Sequence, residues 1–176
     1  MSFVLKYLSG YPEQIQNQIR ELISSKQLAT LLRKKYPTIH TINDNRSLQS
    51  YVMGLKNRYI KKSEPLSKVE FDKHIHVIKN ALGTHSYVSR VQGKKVKRKN
   101  EIRISTLFKK CPEEFLNMIV VHELAHLKEK EHNKAFYQLC EHMLPNYHQI
   151  EFDLRLYLTQ LELSPNDLKI ETTHTK

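Results

Sequence analysis

The sequence predicts an α+β domain in which a small antiparallel sheet packs against a buried helix, with further helices at both ends. Three observations carry this. Apolar residues recur at helical spacing up to Tyr59, the period switches to alternation from Val69, and a nearly unbroken apolar stretch runs from Phe115 to Val121.

Gly10-Tyr11-Pro12-Glu13 opens the first helix, because proline fits a first turn where its missing N–H has no partner to lose. Ile15, Ile19, Leu22 and Ile23 then share a face, and Leu28, Leu31 and Leu32 continue the helical spacing until Tyr36-Pro37 stops it. Asn43-Asp44 is a second start signal, ahead of Leu48, Val52, Leu55 and Tyr59 on one face. Lys61 to Pro65 reads as a linker. Val69 and Phe71 alternate with polar residues, Asp72-Lys73 reads as a turn, and Ile75 and Val77 resume the alternation. Residues 86–91 and 101–107 predict two more strands joined through Gly93 and a lysine run, with Ile102, Ile104 and Leu107 facing the core.

Pro112-Glu113-Glu114 starts the apolar helix, with two carboxylates at its positive end. Asn133 starts another, ahead of Ala135, Phe136 and Leu139. After Pro145, the spacing of Ile150, Leu154, Tyr157, Leu158 and Leu161 predicts an amphipathic C-terminal helix. The expected division is one domain over 1–164, with a helical part (1–64) and a core (65–164), then a flexible tail (165–176).

With 176 residues, 39% hydrophobic and 27% charged, the chain has an ordinary globular composition. Its longest aliphatic or methionine run, Met118 to Val121, excludes a spanning helix, and the N-terminus shows no secretory signal. Cys111 and Cys140 are the only cysteines and form no CxxC, which suits a reducing compartment. A cytoplasmic protein with no membrane partner is expected.

Lys plus Arg is 29 and Asp plus Glu 18, a formal charge of 29 − 18 = +11. Residues 86–110 hold nine of these cations against Glu101 alone, or +8. Such a concentration points to a polyanion, a nucleic acid or nucleotide phosphates, with Lys94, Lys95, Lys97, Arg98 and Lys99 as candidate substrate contacts. The other reading is a solvated hairpin tip whose lysines discourage edge aggregation, favoured because no stacking aromatic lies inside the lysine run, residues 94–99.

The apolar helix runs into His122-Glu123-Leu124-Ala125-His126. Residues four apart lie about 40° apart around a helix and one turn along it, so both imidazoles can reach one tetrahedral metal ion. Glu123 beside the first ligand can act as general base on a water that the metal acidifies. A catalytic zinc needs a third protein ligand. His132 is six residues past His126, and on a continuing helix would point about 240° away, so the chain must leave the helix between Leu127 and Glu131. HExxHxxGxxH enzymes place glycine at that bend where this chain has Glu129, and a bend without glycine is expected to cost about 1–2 kcal/mol. Glu141 on the following helix is the alternative ligand. His40, His74, His76, His85, His142, His148 and His174 read as strand, surface or helix residues.

From Glu101 through Leu158 the chain resembles the YgjP-like metallopeptidase family, and the N-terminal helices with Ser89-Arg90-Val91-Gln92-Gly93 extend the likeness over nearly its whole length. The family pattern is a strand, an HExxH-type helix, a histidine six residues on and a phenylalanine four beyond. Those positions are His122, Glu123, His126, His132 and Phe136. The resemblance implies a zincin-like fold, one zinc or other divalent ion on His122, His126 and His132, and Glu123 as base. Similar cores occur in SprT-like proteases that act on DNA-bound proteins. Many relatives carry a Gly-Ser-Cys element before the last strand, where this chain has its lysine run.

Three functions follow. The first is a zinc metallopeptidase that holds an extended peptide on an edge strand around Ile102 to Ser105. The second is a metal-dependent phosphoanhydride hydrolase of nucleoside triphosphates such as UTP, with the lysines neutralising phosphate. The third is a nucleic-acid-binding module with structural zinc, weakened because a structural site rarely needs a glutamate beside the first histidine. Tyr147 and His148 are candidates for stabilising charge on the reacting oxygen.

Overall fold

A computed structural model describes residues 5–75, 83–92 and 95–169, except for the side chains of 76–99. Two compact units divide the chain, one formed by residues 1–39 with 148–176 and the other by residues 40–147.

In the first unit, Pro12 precedes α1 (Glu13–Ser24), which buries Ile19. Lys26, at φ 57°, turns the chain into α2 (Gln27–Lys35). Leu28, Ala29 and Leu32 form the buried stripe of α2, while Leu31 stands exposed, one position off the face that the spacing implies. Most of α6 (Tyr147–Leu163) belongs here. Its buried Asp153 accepts hydrogen bonds from Lys35, Tyr36 and Gln149, so its charge is paired inside the unit. Pro165–Leu168 form a 3-10 turn with Leu168 buried, and residues 170–176 lie outside the described residues.

In the second unit, Asp44 caps α3 (Asn45–Tyr59): its carboxylate accepts from the Ser47 amide at 2.8 Å, and the Ser47 hydroxyl accepts from the Asp44 amide at 3.4 Å. Leu48 and Val52 on this helix are fully buried. A three-stranded sheet follows, built from β1 (Leu66–Asp72), β2 (Gly83–Gln92) and β3 (Lys95–Ser105) in the order β1-β3-β2. The expected antiparallel pairing holds for β2 and β3, but β1 runs parallel to β3, so the sheet is mixed. The register sets Val69 against Ile102 and Phe71 against Ile104, all four buried on one face.

The parallel pairing escapes a sequence reading because Asp72-Lys73 looks like a hairpin turn. Here the Asp72 carboxylate instead accepts from the His74 amide at 2.8 Å, ending β1 without folding it back. Ile75 is buried outside any strand, and Val77 lies outside the described residues. β3 also stops earlier than expected: Ser105 accepts from the Leu107 amide at 3.3 Å and starts a 3-10 turn, Thr106–Lys110, that buries Phe108 in place of Leu107.

The central position of β3 corrects a second expectation. Ile102 pairs with Val69 on one side and His85 on the other, and Arg103 and Ile104 are likewise flanked by both neighbours. The segment from Ile102 to Ile104 therefore is no edge on which a peptide could pair. The outer side of β1 is itself engaged at Phe71, whose amide donates to the Asn45 side chain at 2.9 Å. After the sheet come α4 (Glu113–Ala125), preceded by Pro112, and α5 (Lys134–Met143), capped by Asn133. Among the described residues no helix is long and apolar enough to cross a membrane.

Replacing Asp44 by Ala should remove the bond that its carboxylate accepts from the Ser47 amide and lower stability by about 1 kcal/mol. The expected result is a lower urea midpoint with an unchanged denaturant slope.

Candidate metal centre

α4 is buried from Phe115 to Ala125 with Asn117 as the half-buried exception. Polar groups on such a helix need partners, and His122 and Glu123 sit among them in its last turn. The helix stops after Ala125, and His126 is its C-cap residue at φ −63°, ψ −17°. Amides 127 to 129 close back onto Leu124 and Ala125, and Asn133 then starts α5 by accepting from the Phe136 amide at 2.9 Å. Among the described residues only Lys26 has a left-handed backbone. The bend at Glu129 thus needs no glycine, and the strain expected of it is not incurred.

This bend returns His132 to the helix end. His132 Nε2 lies 3.1 Å from Nε2 of His122 and 3.1 Å from Nε2 of His126. One ligand atom from each of these side chains lies within 4.8 Å of the others, and no second group of three or more such residues occurs among the described residues. The chemistry of the donors fits a cation. His126 donates from Nδ1 to the Glu129 carbonyl at 3.0 Å, which leaves its Nε2 a bare lone pair. With Nε2 likewise turned to the cluster, His122 donates from Nδ1 to the Tyr147 hydroxyl at 2.7 Å. Lone pairs brought this close repel one another unless a proton or a metal ion lies between them. The edge of a tetrahedron around zinc, with bonds of about 2.0–2.1 Å, is about 3.3 Å, close to the spacing seen.

Burial holds the His126 imidazole below its ordinary range, favouring the neutral form that a ligand requires. Phe136 packs its ring 4.9, 4.6 and 4.8 Å from the rings of His122, His126 and His132, an apolar wall that fixes all three. Glu123 is 2% exposed. Its Oε2 meets no hydrogen-bond donor, and burial pushes the carboxyl up to about 8. Burial without a donor to Oε2 thus favours the neutral form of this carboxyl.

The structure therefore brings together His122, His126 and His132, with Glu123 buried next to the first of them in the chain. Glu141 is an exposed residue of α5 outside the cluster. Tyr147 joins the site behind His122, on the ring nitrogen opposite the cluster, and His148 is exposed in the other unit. The backbone of Lys95, Lys97, Arg98 and Lys99 runs along β3 opposite Gln92, Arg90, Ser89 and Val88; Lys94 and all five side chains lie outside the described residues. His40 is structural: it donates from Nε2 to the Phe108 carbonyl at 2.7 Å and accepts from the Ile42 amide at 3.0 Å. Sequence reasoning missed Tyr147 as the partner of His122, because nothing local relates positions twenty-five residues apart.

A family model described as YgjP-like, metallopeptidase domain, matches residues 88–157. A UTP pyrophosphatase of Escherichia coli (strain K12) is 57% identical over 164 residues, covering 93% of this chain and 98% of that protein. The chain belongs to the YgjP-like family. No solved structure matches this YgjP-like chain.

His132→Ala should abolish metal binding, whereas Glu141→Ala should keep it, both read as metal content after dialysis. Full occupancy in the first with loss in the second would move the site to a carboxylate type. Tyr147→Phe should weaken metal affinity about 10–100-fold, because the His122 ring loses the partner that orients it. Competition with a chelator of known affinity measures this.

Proposed function

We propose that this protein hydrolyses a phosphoanhydride bond of a nucleoside triphosphate, UTP in the first instance, at the three-histidine site. The observation that carries the reading is the 57% identity, over nearly the full length of both chains, to a UTP pyrophosphatase. The all-imidazole donor set of His122, His126 and His132 favours zinc and a zincin-like arrangement. Once bound, such an ion supplies Lewis-acid charge and acidifies water.

The chain's own groups then have defined roles. Glu123 takes the proton as the water oxygen bonds to the α-phosphorus. The bond from that phosphorus to the α–β bridging oxygen breaks, and its electron pair leaves with pyrophosphate, giving the nucleoside monophosphate. The proton on Glu123 passes to the leaving pyrophosphate or to solvent. Burial of Glu123 favours this role, because it raises the carboxylate's basicity towards neutral pH. Tyr147 holds the His122 ring, and Phe136 limits the motion of all three imidazoles.

Peptide hydrolysis by the same groups is the second reading, favoured by the metallopeptidase description of the family. Against it, β3 is flanked on both sides where a peptide was expected to pair.

A panel of nucleoside triphosphates, peptides and unfolded proteins, tested with metal-loaded protein and its Glu123→Gln variant, separates the two. UTP should be cleaved to UMP and pyrophosphate, and Glu123→Gln should keep its metal while turnover falls at least about a hundredfold. Cleavage of peptides with UTP untouched would overturn the nucleotide reading. Unchanged turnover in the variant would remove Glu123 as the base.

A further inference from the structure

The second unit contains a cavity of about 530 Å³ beside the metal-binding turn. One wall is the end of α3 and the turn after it, with Arg58, Tyr59, Lys61 and Lys62. The facing wall is Lys128 and Glu129, between ligands His126 and His132, and Ala135 and Leu139 of α5 close it. The cavity and the site share one residue: Glu129 lines the cavity, and its carbonyl accepts the hydrogen bond from Nδ1 that orients His126.

Its charge is the informative feature. Arg58, Lys61, Lys62 and Lys128 are opposed on the lining by Glu129 alone, a local balance of 4 − 1 = +3. Among the described residues none of these four cations has a carboxylate within ion-pair distance; Arg58 instead lies 5.1 Å over the ring of Tyr59. Like charges gathered around one cavity repel, and an anion placed between them relieves the repulsion. The polar lining is donor-rich and offers a nucleobase little to pair with, and Tyr59 is already in edge contact with His142. The volume falls in the range of ligand sites, about 300–1,000 Å³.

We infer that this cavity seats the pyrophosphate group: the β,γ-diphosphate of the bound nucleotide, and the same group after cleavage as product. The inference rests on the nucleotide reading above and adds where the leaving end of the substrate lies. It also relocates the phosphate contacts from the β3 lysines to Lys61 and Lys62, which the sequence presents as a linker, and to Lys128 after α4. Neutralising the departing charge at Lys61, Lys62 and Lys128 would ease rupture of the anhydride.

The test titrates inorganic pyrophosphate into the metal-loaded protein by calorimetry, beside a Lys61→Gln/Lys62→Gln/Lys128→Gln variant. Affinity should fall at least about tenfold in the variant, and the weakening by added salt seen in the parent should flatten. Metal content should be unchanged, and the same three positions as Arg should restore binding. KM for UTP should rise with the loss of pyrophosphate affinity, while inhibition by UMP should not move. A second variant, with Lys95, Lys97, Arg98 and Lys99 changed to Gln, should bind pyrophosphate like the parent.

Undiminished pyrophosphate binding in the first variant, or loss in the second variant instead, would overturn the assignment. A constant KM alongside lost pyrophosphate binding would overturn its substrate half. The two proposals fail separately. A protein that leaves UTP intact but loses pyrophosphate binding in the first variant keeps the cavity and loses the nucleotide reading. A UTP hydrolase indifferent to the variant does the reverse.

Discussion

The site depends on the way α4 ends. A helix buried along almost its whole length carries two histidines and a glutamate, groups that cost several kcal/mol each when buried without partners. The arrangement satisfies the histidines nitrogen by nitrogen and leaves Glu123 Oε2 without a donor. Nδ1 of His122 is held by Tyr147, Nδ1 of His126 by the Glu129 carbonyl, and the Nε2 atoms converge with that of His132. The Glu129 carbonyl is available for this because the helix has already unwound there. One bend therefore frees an acceptor, turns His132 back and opens the wall that carries Lys128.

The middle strand of the sheet is closed to an added strand. Ile102 and Ile104 are buried at the centre of three strands, and each has a backbone neighbour on both sides. An extended peptide needs a free row of amides and carbonyls. At Phe71 on the outer side of β1, that row is interrupted by Asn45 from the start of α3.

Tertiary neighbours also redistribute the charge. Along the chain, Arg103 counts towards the basic stretch with only Glu101 opposing it. In the fold it lies at 3.4–3.5 Å from three carboxylates, Glu70, Asp72 and Glu101, because parallel pairing brings β1 alongside. That part of the stretch is neutralised. Arg58, Lys61, Lys62 and Lys128 attract no notice as a group in the sequence, yet share one cavity. A run of like charge in sequence is thus a poor guide to the field a ligand meets.

By itself the sequence determined whatever is decided within a turn or two of chain. Asp44 and Asn133 were legible as caps because the amides they bind are three residues on. The His122–His126 pair was legible because helical geometry alone sets residues four apart on one face. The burial of α4 followed from its having no polar face, and Ile102 and Ile104 from their alternation. Only the tertiary structure decided that β1 lies parallel to β3, that Tyr147 holds His122, and that the end of α3 meets the turn after α4. Each of these joins groups more than twenty residues apart. Their pairing is set by which surfaces bury best together, and no local pattern encodes that. His132 lies between the two cases. Spacing and resemblance nominated it, and a bend that required no glycine placed it.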